Sequence, residues 1–427
     1  MQLLRQTWSE MRRQPVISAV TLFGTALAIF LIMIVVMMQD LNVMSFAPES
    51  NRDRFLHARF FHIDNLDGDG NSSGDMGYAT ARKIYDNLES AEATTFYTGN
   101  SSCAIGLPDK PVIEVDKRQT DGNFWHVFDF TFVSGRPYTQ EEMEAYTRNI
   151  VISESVARGL FGSTDVAGRE IMIDHFTPYT IGGVVKDVPT MASSAYASVW
   201  MPLSENARNN TWSNHFGNIE ATILARDKSD FDAIRNETDR RKEAFNNEIK
   251  ESEGKRLVDH GSPFTQDELQ YVKWSNQDPE YESEKDHKTK AFIYSILLLI
   301  PAINLSSMTQ SRLRRRVSEM GVRRAFGCTR WRLVREIITE NLLVTLAGGL
   351  IGLLASIVMA WLCADTLFAN NDLMNTSTNL TPGMLLQWSV FFWALAACFV
   401  LNLLSSSIPA WRASRLNPTE AIGGLQK

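Results

Sequence analysis

Cysteine is scarce in this chain of 427 residues, which contains only four. Three of them, Cys328, Cys363 and Cys398, lie in or beside long apolar stretches, and Cys103 alone lies in the polar part of the chain. No two cysteines share the polar part, so we expect neither a disulfide framework nor a cysteine metal site there.

Motifs that bind phosphate or carry out hydrolysis are also missing. The sequence has no GxxxxGK[ST], HExxH or GxSxG pattern, and its seven histidines are scattered. We therefore expect a protein that is not an enzyme and that holds no catalytic, cofactor-binding or metal-ligating residues. An acidic stretch with Asp67, Asp69 and Asn71 suggests calcium, but it lacks the glycine and the glutamate that complete a calcium-binding loop. We interpret that stretch as a solvated turn.

Charge is absent from four long stretches, 16–38, 291–309, 342–363 and 385–408. Each is close to the roughly 20 residues that cross a bilayer as a helix. The first is longer than the apolar core of a signal peptide, about 7–15 residues, and is expected to be an uncleaved anchor. The predicted fold class is thus membrane α-helical, with four transmembrane helices and a large α+β extracytoplasmic domain.

The predicted organisation follows from these stretches and from the distribution of arginine. The connector between the second and third stretches holds nine arginines, whereas residues 365–384 hold no Lys or Arg. Basic residues mark the cytoplasmic side, so both termini should be cytoplasmic and the large domain should face outward. That domain is acidic overall, which argues against a nucleic-acid partner. The predicted segments are an amphipathic lead-in (1–15), TM1 (16–38), the extracytoplasmic domain (39–290), TM2 (291–309), a cytoplasmic coupling region (310–341), TM3 (342–364), an outer turn (365–384), TM4 (385–408) and a cytoplasmic tail (409–427).

The basic connector, Arg312 to Asn341, is interrupted by glycine. Gly321 and Gly327 each break its helical pattern, and Thr329 is placed to cap a new helix. We expect two short amphipathic helices, the second of which bends into the bilayer. Charge alone leaves a second interpretation open, namely a positive-inside loop that has no partner.

One nonapeptide in this connector resembles the cytoplasmic motif of the MacB/FtsX family of ABC-transporter permeases. Its residues are Glu319, Met320, Gly321, Val322, Arg323, Arg324, Ala325, Phe326 and Gly327. Other segments are similar to the MacB-type periplasmic core domain, and the tail is similar to the end of the family's permease domain. These segments are Thr120–Trp125, Phe128–Phe130, Ser134–Pro137, Val151–Ala157, Leu160–Gly162, Gly183–Pro189 and Ser407–Ala421.

The resemblance implies a permease subunit in the bacterial inner membrane. The nonapeptide would dock onto an ABC ATPase subunit, which would carry the ATP and Mg²⁺, and a second permease copy or a paralogue would complete a dimer. ATP-driven motion would reach the periplasmic domain by mechanotransmission and drive efflux or extraction of a substrate there. A periplasmic adaptor and an outer-membrane channel are possible further partners.

Three alternatives stay open at this point. The chain could be an FtsX-like regulator that activates a cell-wall hydrolase, or a membrane-anchored sensor or adaptor whose connector binds a signalling protein. The third alternative, a membrane-tethered extracytoplasmic enzyme, is disfavoured by the missing catalytic motifs.

Local patterns predict the elements of the outer domain up to residue 204, but they place the segment 205–290 less well. Strands are expected at Phe55–Ile63, Val112–Lys117, Asn149–Ile152, Glu170–Ile173, Tyr179–Val185 and Val199–Pro202, and a loop at Asp64–Asp75. Helices are expected at Tyr78–Leu88, after a TQEE capping box at Thr139, at Glu154–Phe161 between a Ser153 cap and a Gly162 stop, and at Ser229–Ser252. In the third apolar stretch, small residues form a face suited to a packed helix or to a second copy of the chain: Ala347, Gly348, Gly349, Gly352 and Ala355.

Overall fold

The computed structural model describes most of the outer domain and parts of the apolar segments. It covers residues 15–40, 43–68, 70–108, 110–174, 177–209, 215–258, 261–271, 284–286, 288–293, 295–296, 299, 326–363, 388, 391–397, 399–400 and 403. The chain divides into two compact units. The outer unit comprises 40–286 and 364–380, and the apolar unit comprises the remaining residues.

The outer unit alternates short strands with short helices. Its strands are β1 (Phe55–Ala58), β2 (Phe60–Asn65), β3 (Asn71–Asp75), β4 (Ala93–Thr98), β5 (Ser101–Gly106), β6 (Ile113–Thr120), β7 (Phe132–Gly135), β8 (Asn149–Ser153), β9 (Glu170–Ile173), β10 (Thr177–Val185), β11 (Val199–Pro202), β12 (Ile219–Leu224), β13 (Lys255–Val258) and β14 (Phe264–Thr265). In the two units together, the helices with defined bounds are α1 (Pro15–Asp40), α2 (Tyr78–Tyr85), α3 (Phe124–Val127), α4 (Gln140–Glu144), α5 (Glu154–Phe161), α6 (Glu205–Asn209), α7 (Phe231–Glu253), α8 (Gln266–Leu269) and α9 (Arg330–Leu362). Residues 288–293 and 391–397 are also helical.

Eleven strands form one mixed sheet with a closed portion. The strand order is β11-β8-β10-β9-β5-β6-β4-β12-β1-β14, and β7 pairs with β10. Because β11 also pairs in parallel with β6, the six strands from β11 to β6 form a ring. The strands β4, β12, β1 and β14 extend from this ring, and β7 is attached to it through β10. A second sheet, β13-β2-β3, is antiparallel.

Two hydrophobic clusters correspond to these two parts of the large sheet. One contains residues from all six strands of the ring together with Leu160 of α5. The other lies on the extension, where Leu56 and Ile223 of the sheet belong with Ile84 of α2 and Phe245 of α7. Apolar side chains at alternate strand positions and at helical spacing therefore build both cores.

Most local predictions in the outer unit are confirmed. Thr139 and Glu142 form the expected capping box, with Thr139 N–H donating to Glu142 Oε2 at 2.8 Å. Ser153 caps α5, and Gly162 ends it with φ +72°. The antiparallel pair β9–β10 and the long helix α7 also appear close to the expected bounds.

Two local predictions are wrong. The strand expected at Phe55–Ile63 is interrupted at Arg59, so that β1 joins the large sheet while β2 joins the small one. The loop expected at Asp64–Asp75 contains β3, which pairs with β2 as a hairpin. Pattern alone missed both because each half of the first segment is buried by a different partner, and because β3, NSSGD, is polar.

In the apolar unit, α1 and α9 are the two long helices of the described residues. Within α9, the stretch Leu342–Leu362 is long and apolar enough to cross a bilayer, and Leu22–Met37 of α1 is a shorter apolar stretch. The helix α9 runs without a break from Arg330, so the expected second connector helix and TM3 form one 33-residue helix. The predicted TM2 and TM4 lie largely outside the described residues.

Candidate functional site

The predicted coupling residues precede α9 in the chain. Glu319, Met320, Gly321, Val322, Arg323, Arg324 and Ala325 are outside the described residues, whereas Phe326 and Gly327 are described. The φ of Gly327 is +89°, a left-handed conformation that disfavours residues with a Cβ. Gly327 therefore makes the sharp turn expected from the sequence, directly before the residues that begin α9.

Two large aromatic side chains flank this turn and are exposed. Phe326 is 88% exposed and Trp331 in the first turn of α9 is 80% exposed. The helix begins after Thr329 as predicted, but the Thr329 side chain makes no capping hydrogen bond. Exposed aromatic residues next to basic ones, such as Arg332 and Arg335, are typical of a surface that a protein partner covers.

Further along α9, glycines allow close contact with α1. A Cβ built on Gly348 would lie 2.8 Å from Thr25 Cβ, and a Cβ on Gly352 would lie 2.5 Å from the backbone oxygen of Ala26. Added to Gly349, a Cβ would lie 2.4 Å from Leu395 Cδ1. The three glycines of the predicted small-residue face therefore pack within the apolar unit, whereas Ala347 and Ala355 are exposed. The packed-helix alternative is the one observed for the glycines.

In the outer unit, the segment that follows α1 in the chain contains a buried ion pair that sequence reasoning missed. Arg52 Nε lies 2.5 Å from Glu49 Oε2, and both side chains are fully buried. The same guanidinium donates to the backbone oxygens of Met44, at 3.2 Å, and Met191. It also lies over the ring of Phe46, 4.2 Å from the centroid. We call Glu49 and Arg52 the entrance clamp.

A second set of charged groups, partly or fully buried, lies at the junction of the two sheets. Arg59, between β1 and β2, makes two contacts of 2.9 Å with the carboxylate of Glu220 on β12. Burial, together with the nearby charge of Glu220, raises the pKa of Asp75 at the end of β3 to about 7, although Arg59 opposes this shift. Burial also lowers the pKa of His57 to about 3, with the charges of Arg59 and Arg52 acting in the same direction.

His57 belongs to a network of buried side chains. His57 Nδ1 lies 3.1 Å from Thr222 Oγ1, which in turn lies 2.7 Å from the Tyr97 hydroxyl. No group of three or more His, Cys, Asp or Glu side chains suited to a metal ion occurs in the described part of the chain. The expected absence of catalytic and metal-ligating residues stays a prediction.

Comparison with known sequences assigns both parts of the chain. The sequence model described as the MacB-like periplasmic core domain matches residues 18–241, more than half of the chain. The model of the FtsX-like permease C-terminal domain matches residues 291–418. The chain belongs to the MacB/FtsX family of ABC-transporter permeases. It is thus a membrane protein with a MacB-type periplasmic domain, as the motifs of the connector, the outer domain and the tail indicate.

Similar proteins include the macrolide export ATP-binding/permease protein MacB of Escherichia coli strain K12, which is 23% identical over 317 residues. That match covers 70% of this chain and 42% of the relative. The MacB protein of Shigella flexneri is 22% identical over the same length and coverage. The chain therefore spans about two fifths of the length of the curated relatives it matches.

A solved structure similar to this chain is the periplasmic region of MacB from Actinobacillus actinomycetemcomitans. It is 14% identical, and the match covers 50% of this chain and 91% of that one, with a TM-score of 0.33.

Proposed function

We propose that this chain is the permease subunit that relays the motion of an ABC ATPase to its own periplasmic domain. The observation that carries the proposal is the pair of exposed aromatic residues, Phe326 and Trp331, on the two sides of the Gly327 turn. Large aromatic side chains in water cost free energy unless a partner covers them. A basic surface that contains such residues suits a folded partner with acidic groups.

The helix α9 is the element that would carry this motion through the membrane. It continues from the exposed turn to Leu362 in one piece, so a displacement at Arg330 moves the apolar part as well. Its glycines fit against α1, and interfaces this close shift as packed bodies rather than deform. From α1 the chain leads directly into the outer domain.

The remaining features of the proposal come from the family. ATP and Mg²⁺ would be bound by the ATPase, because the sequence in hand has no phosphate-binding loop. Two permease chains would pair in the inner membrane, with four spans each and both termini cytoplasmic. The relatives are named for macrolide export, which favours efflux or extraction of a substrate on the periplasmic side. A periplasmic adaptor and an outer-membrane channel would be further partners implied by the family alone.

Replacement of the two aromatic residues tests the docking surface. We expect Phe326→Ala and Trp331→Ala each to weaken association of the ATPase with the full-length chain, since a buried aromatic anchor contributes about 2 kcal/mol or more, roughly thirtyfold in Kd. Trp361→Ala is the matched control, because Trp361 is 60% exposed at the other end of the same helix. Pull-down of the ATPase with permease in nanodiscs measures the effect. Equal binding by all three variants would refute the proposed docking surface.

A further inference from the structure

The entrance clamp is joined to the centre of the outer domain by one buried loop. Glu49 Oε1 accepts hydrogen bonds from the backbone N–H groups of Ser194, at 2.9 Å, and Ala195, at 3.0 Å. Both residues are buried, and they lie in the connection between β10 and β11. Glu49 therefore uses one carboxylate oxygen for Arg52 and the other for this loop.

The loop is held from its other side by the large sheet. Arg118 on β6 donates from Nη2 to the oxygen of Ser193, at 2.8 Å, and from Nε to the oxygen of Tyr196, at 3.1 Å. Trp200 on β11 donates from Nε1 to the oxygen of Ala195 at 3.0 Å. Both strands belong to the ring and pair with each other. A continuous set of hydrogen bonds thus runs from the segment after α1 to the ring.

The segment itself is held to a fixed shape. Arg52 bonds to the oxygen of Met44, and its guanidinium stacks on Phe46, so that both ends of residues 44–52 are joined through one side chain. The oxygen of Pro48 also accepts from Asp129 N–H at 2.7 Å. A displacement that reaches Met44 would therefore move the clamp as a body rather than extend the chain.

Stability alone does not account for a fully buried Glu–Arg pair. Taking two charges out of water is costly, and well-packed apolar residues often stabilise a fold equally well or better. The pair adds directional bonding, because its charge-assisted hydrogen bonds of fixed geometry join residues 44–52 to the loop 191–196. Such bonds resist being pulled apart in a way that non-directional apolar contacts do not.

On this geometry, and resting on the proposed function, we propose that the entrance clamp is the point at which motion of α1 is transferred to the outer domain. Glu49 and Arg52 are positioning residues that join the incoming segment to the loop 191–196. Through Arg118 and Trp200 that loop moves the ring of strands. If the clamp were broken, the ATPase would still hydrolyse ATP but the outer domain would not move.

The test measures motion of the outer domain separately from hydrolysis. Spin labels are placed at Ser102→Cys, exposed in the outer unit, and at Trp361→Cys, exposed on α9, in a full-length chain without other reactive cysteines and assembled with its ATPase in nanodiscs. In the otherwise unchanged protein, ATP and Mg²⁺ should shift the distance between the labels. In Glu49→Gln we expect normal ATPase binding and hydrolysis but loss of that shift.

A matched control separates coupling from stability. Glu220→Gln removes the charge of another buried glutamate of the same domain, which pairs with the half-buried Arg59 and does not hold the segment after α1. It should lower the stability of the domain in the same way yet keep the ATP-dependent shift. The proposed role of the clamp would be refuted if the ATP-dependent change in label distance survived in Glu49→Gln, or if it were lost equally in Glu220→Gln.

Two further measurements cover the other outcomes. If Glu49→Gln does not fold, Arg52→Lys keeps the positive charge while removing the planar group that reaches Met44 and Met191, and loss of the shift is again expected. In the unmodified complex, hydrogen exchange of the Ser194 and Ala195 amides should stay slow during ATP turnover, and fast exchange would overturn the proposal. Absence of any shift in the unmodified complex would instead refute the proposed function.

Discussion

The backbone oxygen of Ala26 in α1 lies 2.5 Å from the point that a Cβ on Gly352 of α9 would occupy. Ile29 Cβ would lie 3.2 Å from the same point and Phe30 N 3.1 Å. Two helical backbones can approach this closely only where a residue has no side chain. Because the obstacle is backbone rather than a flexible side chain, it cannot move without shifting the whole helix.

Gly352→Ala should therefore loosen the contact between α1 and α9. Overpacking of a close-packed site costs about 1–3 kcal/mol, so we expect a lower midpoint of thermal unfolding for the full-length chain in detergent. Ala355→Leu is the control, because Ala355 is exposed on the same helix. Unchanged unfolding of Gly352→Ala would show that the two helices do not touch in the folded protein.

The topology of the chain is testable through its cysteines, but not through Cys103 as it stands. Cys103 is 3% exposed, and burial raises the pKa of its thiol to about 12, so little reactive thiolate forms. We expect it to resist membrane-impermeant maleimide in spheroplasts until the domain is denatured. Ser102→Cys, at the exposed neighbouring position, should react from outside, whereas Cys328 should not. Labelling of Cys328 from outside would reverse the proposed orientation.

Signals confined to a few neighbouring residues were the ones that sequence reasoning captured. The capping box at Thr139, the Ser153 cap and the Gly162 stop are each fixed by side chains within one or two helical turns. The division of Phe55–Ile63 into two strands depends instead on β12 and β13, more than 150 residues further along the chain. Such partners leave no local pattern.

The residues of the candidate site were likewise predicted only where the sequence signal is local. The nonapeptide at Glu319–Gly327 is recognisable because its glycines and arginines lie in a fixed register within one segment. Glu49 and Arg52 look like ordinary surface charges in sequence, since nothing near them indicates burial. Their role appears only when the β10–β11 loop supplies the N–H groups of Ser194 and Ala195. Apolar packing of the glycines in α9 was foreseen, but its partner was not.

Acidity should change the stability of the junction between the two sheets through Asp75. Its pKa rises from 3.8 in the unfolded chain to about 7 in the folded one, so the folded state binds the extra proton between these values. Stability from this group is therefore full below pH 4 and is lost as the pH rises through 7. The lowered pKa of His57 acts in the opposite direction. Its contribution to stability is full above pH 6.5 and is lost as the pH falls to about 3.

Comparison with Asp75→Asn isolates the carboxyl group from His57. The free energy of opening of the β12 amides, measured by native-state hydrogen exchange, should fall from pH 5 to pH 8 by on the order of 2 kcal/mol more in the unmodified chain than in the variant. Asn cannot ionise, so the variant lacks this loss. If the free energy of opening differs between the unmodified chain and Asp75→Asn by the same amount at pH 5 and at pH 8, a raised pKa at Asp75 is contradicted.

Two features of the connector motif suit contact with a protein partner. Gly321 has no side chain, so a partner's backbone can approach it closely. Arg323 and Arg324 can pair with acidic groups of a partner, and breaking one side of a desolvated pair costs roughly 2–5 kcal/mol. If these residues only mark the cytoplasmic side of the membrane, the glycine should tolerate any side chain, and lysine or arginine anywhere in the connector should serve.

We therefore expect Gly321→Trp, and separately the double change Arg323→Glu/Arg324→Glu, to leave the chain inserted and the outer domain folded while association with the ATPase or its coupling to transport is lost. The control is Arg314→Glu/Arg315→Glu, which makes the same change of charge in the connector but outside the motif. Its ATPase binding should fall much less, because charge at a distance from the contact is screened by salt within about 10 Å. ATPase pull-down and a transport assay on the same membranes measure both losses. Full activity of Gly321→Trp would count against close approach of a partner at that glycine. Equal loss in the two double variants would leave Arg323 and Arg324 with only their role in orienting the chain.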